Sequence, residues 1–424
     1  MTPFLSMRSS FGMSRRDPLR WLGPPGPSRR LLSATLIESI GNGCFVGTSV
    51  IYFTSSVGLP AAAVGLAMTI AGAVALVAGV PLGVIADRFG AQRVLVGALV
   101  LQGLATALLV TVSSANAYAA LATATAVVDR AAYAARGALM ASVFTTERVV
   151  SRARMRVMSN AGFSLGGAMG GVALQVDTTA LYRITIGLNA AAFLLSALLA
   201  TGLPSVPARR ADAGRPRVVV LRDRPYLAIT VVNALVCLHY GLFEVAMPLW
   251  IVEHTSAPRW LVSVLFVGNT LMVVLFQVRL SRDSEDVAGG ARALRRAGVL
   301  ILVAAAGFAA AALLPAWAAA TVLVLTGAVY VVAEMLQSAG SWGLSYTLAP
   351  EDRHGEYQGA FGSGTSAGLA FAPLFATSLV VADGGWGWIV AGLFLLCATF
   401  IMTPLAHAAL RTRPVAEAAS PIAG

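Results

Sequence analysis

Apolar residues fall along the chain in blocks of about twenty, parted by short polar interruptions, and block length carries the first inference. A hydrocarbon layer about 30 Å thick is crossed by roughly 20 helical residues, and lipid offers no partner to an unpaired peptide group. Every block is therefore expected to be a transmembrane helix. Twelve segments can be drawn on apolarity alone, at about 31–53, 62–86, 93–112, 116–144, 154–176, 181–202, 225–252, 258–280, 296–313, 317–341, 357–382 and 385–407.

The longest connection, 203–224, is rich in Arg and Pro and parts the segments into two sixes. Five regions are expected: a disordered cytoplasmic tail at 1–30, an N-terminal six-helix bundle at 31–202, a cytoplasmic linker at 203–224, a C-terminal six-helix bundle at 225–407 and a second cytoplasmic tail at 408–424. An internal echo suits two related halves. Thr146-Glu147-Arg148 leads into a Gly-rich fifth segment, and Pro350-Glu351-Asp352-Arg353 leads into Gly359, Gly362, Gly364 and Gly368 of the eleventh, about 200 residues on.

Composition agrees. With 57% hydrophobic and only 12% charged residues, the chain cannot cover itself with the roughly one-quarter charged residues of a soluble domain. Its net charge of +11 could suggest nucleic acid, but the placement of the basic residues, all 30 of them Arg, gives a plainer reason. With a cytoplasmic N-terminus, 26 lie on the cytoplasmic side, only Arg183 and Arg259 outside, and Arg130 and Arg136 within the spans. That asymmetry predicts an even helix count, both termini cytoplasmic and, for a bacterial chain, the inner membrane. Cys44, Cys237 and Cys397 each stand alone in an apolar segment, so neither a disulfide framework nor a metal cluster is implied. No nucleotide motif and no cofactor site can be read, and no nucleic-acid partner is expected.

Two motifs add a resemblance. Between the second and third segments lies Gly83-Val84-Ile85-Ala86-Asp87-Arg88-Phe89-Gly90-Ala91-Gln92-Arg93, which resembles the loop signature G-x-x-x-D-R-x-G-R-R of the major facilitator superfamily. Gly83, Asp87, Arg88, Gly90 and Arg93 match, while Ala91 and Gln92 stand where the family carries its first basic residues. In the fifth segment, the run Gly162 to Gly171 is similar to that family's antiporter signature G-x-x-x-G-P-x-x-G-G, through Gly162, Gly166, Gly170 and Gly171, with Gly167 in place of the proline. Physically, glycines four apart flatten one helix face and let a neighbour approach closely. The chain thus resembles the family's twelve-helix drug:proton antiporters over about 31–407. The resemblance implies the major facilitator fold, an all-α polytopic membrane protein of two six-helix bundles rocking about a cavity lined by the first, fourth, seventh and tenth helices. It also implies that Asp87 closes the cytoplasmic side, its candidate partners being Arg88, Arg148, Arg152 or the peptide N–H groups at the start of the eleventh helix, near Glu356 to Gly362.

A charge inside a bilayer costs roughly 2.5–3.5 kcal/mol even on lenient scales, so it is kept where it meets water or a partner. The ionisable side chains clear of the span edges are Glu38 in the first, Asp129, Arg130 and Arg136 in the fourth, His239 and Glu244 in the seventh and Glu334 in the tenth. These are the four segments that the resemblance assigns to the cavity. Helical spacing arranges Glu38, Asn42 and Phe45 on one face, and Asp129, Tyr133, Arg136 and Met140 on another. The seventh segment contributes Asn233, Tyr240, Glu244 and Met247, with His239 turned away as a packed residue; the tenth contributes Tyr330, Glu334, Gln337 and Ser341. Carboxylates mixed with aromatic and amide side chains suit a roomy amphipathic pocket.

Proton coupling needs a group that changes charge. Desolvation drives a cavity carboxylate towards its neutral form, while a nearby arginine holds it ionised. Asp129 or Glu38 is the expected acceptor, tuned by Arg130 and Arg136, with Glu244 and Glu334 as substrate contacts. The same residues admit structural readings: Asp129 with Arg136 as an ion pair, and Glu334 as a residue reaching water at its helix end. The expected function is secondary active transport by a monomer, namely proton-coupled export of a hydrophobic or cationic small molecule. Proton-coupled uptake of a small nutrient and lipid flipping are the alternatives. An enzyme is not expected, since no His/Asp or Cys constellation appears at usable spacing.

Overall fold

The computed structural model describes residues 26–144, 148–205, 218–381 and 385–411. Among them the chain is helical throughout. The N-terminal half comprises α1 (Pro27–Ile51), α2 (Ala61–Phe89), α3 (Ala91–Leu108), α4 (Ala115–Val143), α5 (Arg148–Val176) and α6 (Thr179–Thr201). In the C-terminal half α7 runs through Arg224–Cys237, His239–Gly241, a π turn at Leu242–Ala246 and Met247–His254. It is followed by α8 (Leu261–Leu280), α9 (Val287–Ala311), α10 (Ala316–Thr347), α11 (His354–Ala376) and α12 (Gly385–Arg411).

Side chains start several of these helices where water and lipid meet. Asp223 accepts the Tyr226 N–H at 3.1 Å and Asp286 the Gly289 N–H at 2.5 Å, each satisfying one of the four orphan donors of a first turn. Between α2 and α3 the chain turns on Gly90, whose φ of 93° is readily adopted only by glycine.

Ten of these helices are long and apolar enough to cross a membrane. The other two, α4 and α5, are diluted by Asp129, Arg130 and Arg136 and by Arg148, Arg152, Arg154 and Arg156. Several boundaries differ from expectation for that reason. The α5 helix starts at Arg148 rather than 154, α9 at Val287 rather than 296, and α10 runs on to Thr347 rather than 341. An apolarity count stops at charge, whereas a helix continues past it. Similarly, Pro27–Arg30, expected in the tail, are helical, and α12 extends to Arg411. The expected tails at 1–25 and 412–424 and the linker at 206–217 lie outside the described residues, as does Thr146-Glu147 of the echo.

Alternation of the helices puts the described chain ends and the α2–α3, α4–α5, α8–α9 and α10–α11 turns on one face of the bundle, called the terminal face below. Each half has its own interior, built on Leu95, Leu99, Leu139 and Phe193 in the first and on Trp250, Phe308, Leu323 and Trp388 in the second. Leucines such as Leu101, Leu198, Leu275 and Leu325 are exposed on the outside, as a lipid-facing surface requires.

Lipid supplies no hydrophobic drive between helices, so close backbone approach matters more. One such seam is α1 on α5, where the backbone of Leu36, Ile40 and Cys44 lies over Gly162, Gly166 and Gly170. A Cβ on Gly166 would run into the Ile40 carbonyl oxygen. G166V is expected to destabilise the protein by about 1–3 kcal/mol, as overpacking does, with a lowered midpoint of thermal unfolding in detergent. G167V, whose Cβ meets nothing within 4 Å, should leave the midpoint unchanged.

The halves meet along α2–α11, α4–α11, α5–α8 and α5–α10. On α2, Gly65, Gly72 and Gly79 share a helix face, with Gly83 one turn further. Gly79 and Gly83 are met closely by Gly359, Ser363 and Gly355 of α11, while a Cβ on Gly65 or Gly72 would meet nothing within 4 Å. The two helices therefore converge at the terminal face and part towards the opposite one.

Candidate functional site

A cavity of about 530 Å³ lies between the halves. Its lining comes from α4, α5, α7, α8, α10 and α11, so α1, expected among the cavity helices, contributes no side chain, whereas α5, α8 and α11 do. Aromatic and apolar walls are formed by Tyr133, Phe163, Tyr240, Trp342, Phe361 and Leu369, and the charged groups are Arg152, Arg156, Glu244 and Glu334.

At mid-height the cavity is crossed by an ion pair. Glu334 of α10 takes one carboxylate contact from the Arg156 guanidinium of α5, which also reaches Ser338, and its other oxygen accepts the Asn269 amide of α8 at 2.7 Å. Among the described ion pairs this is the one that joins the two halves. Glu334 is 5% exposed, and its helix continues 13 residues further to Thr347, so the helix-end reading of Glu334 does not hold. A buried pair of this kind owes its persistence to geometry and to the extra hydrogen bonds, since desolvation cancels much of the attraction. Glu244 sits in the π turn of α7, where an extra residue per turn re-aims the side chain, and it is exposed to the cavity with no described ion-pair partner.

The C-terminal wall is tied by amides and hydroxyls. Asn233 donates to Thr365 at 3.1 Å and accepts from Ser341 at 2.6 Å, and Gln337 donates to the same Ser341 at 3.0 Å. Tyr330 departs from its expected place: it lies inside the C-terminal bundle against His239, oxygen to Nδ1 2.7 Å, and stacks on Phe243. Asn42 and Phe45 also lie outside the lining, and Phe45 packs against the hydrophobic cluster that includes Tyr52, Phe53 and Tyr118.

The remaining charges pair differently from the expectation. Arg136 is joined to Glu38 within the N-terminal half, not to Asp129. Asp129 instead accepts from Arg130, which also donates to Ser366 of α11 at 2.6 Å. None of these four lines the cavity.

Two carboxylates close the terminal face. Asp87, at the end of α2, accepts the N–H groups of Gly355 and Glu356 at 2.7 and 2.8 Å, at the start of α11. Glu285, in the α8–α9 turn, accepts those of Val149 and Val150 at 3.0 and 2.9 Å, at the start of α5. Each anion sits on the positive end of a helix dipole that belongs to the other half. Between its four possible partners, Asp87 thus takes the peptide groups. Arg152 lies over the Tyr133 ring at 5.2 Å, Arg148 donates to the Ala141 carbonyl at 3.2 Å, and Arg88 rests over Phe89. Arg93 is exposed. Gly83 lets α2 approach the Gly355 carbonyl, Gly162, Gly166 and Gly170 belong to the α1–α5 seam, and a Cβ on Gly171 would meet nothing within 4 Å.

Arg156, Asn269 and Glu285 were not singled out from the sequence. A signal exists for the first: Arg152, Arg156, Asn160 and Ser164 repeat every four residues and form one helical stripe, but the arginine asymmetry counts Arg152 and Arg156 among the 26 on the cytoplasmic side.

The family profile described as Major Facilitator Superfamily matches residues 31–359. No curated protein sequence matches the chain. Among solved structures, the human organic anion transporter MFSD10 (TETRAN) is 15% identical with a TM-score of 0.68, covering 91% of this chain and 100% of its own. A bacterial homologue of the iron transporter ferroportin, in an outward-facing state, is 14% identical with a TM-score of 0.70, covering 90% and 98%. The proton:xylose symporter XylE is 14% identical with a TM-score of 0.64, covering 89% and 96%. At these identities the likeness concerns the fold.

Proposed function

Since the chain belongs to the major facilitator superfamily and is a multi-pass membrane transporter rather than an enzyme, we propose that it exports a hydrophobic or cationic small molecule in exchange for protons. Alternating access is the mechanism, with the terminal face cytoplasmic. The observation that carries this reading is the Glu334–Arg156 pair across the two halves inside an amphipathic cavity. A proton on Glu334 removes the charge that holds Arg156, so protonation loosens a tie between the bundles, and one event changes both charge and conformation. Glu38 and Asp129, the acceptors expected from the sequence, lack that leverage: Glu38 is paired inside one half, and Asp129 reaches the other only through Arg130. The arrangement with the terminal face shut and α2 parting from α11 above Gly79 corresponds to the outward-facing state.

Substrate preference follows from the walls. Tyr133, Tyr240, Trp342 and Phe361 offer flat apolar and cation–π surface, and Glu244 offers a carboxylate with no ion-pair partner among the described residues. In vesicles containing the purified protein, a fluorescent lipophilic cation should be driven against a proton gradient, and a gradient of reversed polarity should reverse the flux. E244Q is expected to weaken transport of the cation by about tenfold, the worth of one charge contact of roughly 1.4 kcal/mol, and to spare a neutral substrate. Flux of the solute in the same direction as the proton would replace export by uptake.

A further inference from the structure

A second cavity, of about 430 Å³, lies at the terminal face between α8, the α8–α9 turn, α9 and α10, and shares no lining residue with the central one. Three guanidinium groups line it, Arg279 from α8 and Arg292 and Arg296 from α9. Arg292 and Arg296 stand one helical turn apart, about 6 Å along the axis, where like charges repel. None of the three makes a hydrogen bond or ion pair among the described residues. Asp283 is the one carboxylate in the lining, so two positive charges are left without a counter-charge. The rest of the wall includes Phe276, Leu280 and Leu336. Phe276 belongs to the lipid-facing side of α8, with Leu271 and Leu275 exposed above it.

An anion with several oxygens suits the head of this cavity, because planar guanidinium groups bind phosphate through paired N–H donors. An apolar chain suits its floor and the α8 strip. We propose that the cavity binds a phosphate ester, supplied by the headgroup of an anionic phospholipid whose acyl chain runs along Phe276 and Leu275. Depth favours that source: the arginines sit where helix ends meet the bilayer surface, the level at which basic pockets between helices hold lipid headgroups. The same turn carries Glu285, so an occupied pocket restrains the segment that latches α5.

The test compares the full chain in detergent with R279Q/R292Q/R296Q and with R183Q/R259Q/R411Q, which removes the same charge from exposed sites elsewhere. Retained lipid is counted by native mass spectrometry, and the unfolding midpoint is followed with phosphatidylglycerol, phosphatidylcholine or inorganic phosphate added. Phosphatidylglycerol should be retained and should raise the midpoint of the wild type and the control, with retention about tenfold weaker in the cavity triple variant and little retention of phosphatidylcholine by any. Should inorganic phosphate protect the wild type as well as phosphatidylglycerol does, and not the triple variant, the phosphate site stands and its source is a soluble ester. Equal retention of phosphatidylglycerol by the triple variant and the wild type, or equal retention of the two lipids, overturns the proposal. R292E and R296E, made singly, carry the same expectation if the triple variant does not fold.

Discussion

E334Q should abolish proton-driven transport while leaving downhill exchange of substrate for substrate. Glutamine keeps an acceptor for Asn269 but has no charge to lose, so the carrier can still alternate and can no longer link alternation to a proton. Purified wild-type protein should release protons when substrate is added, and E334Q should not. The variant also leaves Arg156 buried without its partner, a situation that costs about 3–5 kcal/mol when one member of a buried pair is removed. R156Q/E334Q, which removes both, should therefore unfold at a higher temperature than E334Q alone. E38Q bears on the choice of acceptor, since it breaks a pair confined to the N-terminal half and should retain gradient-driven accumulation. The assignment fails if E38Q loses coupling and E334Q keeps it.

The acceptor was hard to choose from the sequence for a physical reason. Spacing along a helix tells which residues share a face, not which way that face is turned in the bundle. Glu38, Asp129, Arg136 and Glu334 all stood out because charge in an apolar run is costly. Whether Arg136 meets Asp129 of its own helix or Glu38 of α1 depends on how α4 is rotated in the bundle, and that rotation is decided by its packing on α2, α3 and α11. Arg156 was missed by the same rule that found the others. A charge in an apolar run is conspicuous, but α5 opens with four arginines in nine residues, and a charge among charges is read as loop. The twelve-segment plan, by contrast, rests on block length, which the bilayer imposes on each helix separately, and it could be read directly. The latches show the opposite limit. Asp87 is marked by a signature, whereas Val149 and Val150 offer Glu285 only their peptide N–H groups, which every residue but proline carries. A hydrogen bond to backbone leaves no trace in the partner's side chain.

D87A/E285A should open the terminal face. Each carboxylate accepts two peptide N–H groups at a helix start, and hydrogen bonds to a charged group contribute about 1.5–3 kcal/mol apiece. Even with partial additivity the pair of latches biases the equilibrium by several kcal/mol, and about 5.5 kcal/mol is enough to turn a 99:1 population into its inverse. Because Asp87 holds α11 and Glu285 holds α5, the two act on different seams, α2–α11 and α5–α8, and either alone should keep the face partly shut. Spin labels at R93C and R282C, exposed positions on the two halves at this face, report the gap once Cys397 is replaced. A short distance is expected for the wild type, a mixture for D87A or E285A, and a long distance for the double variant. Should the double variant keep the short distance, the terminal face is held by side-chain packing, such as that of Gly83 and Gly79 against α11, and the carboxylates are only its polar trim. Should D87A alone give the full opening, the α5–α8 seam has no latch of its own, and the pseudo-twofold sharing of closure between Asp87 and Glu285 is removed from the mechanism.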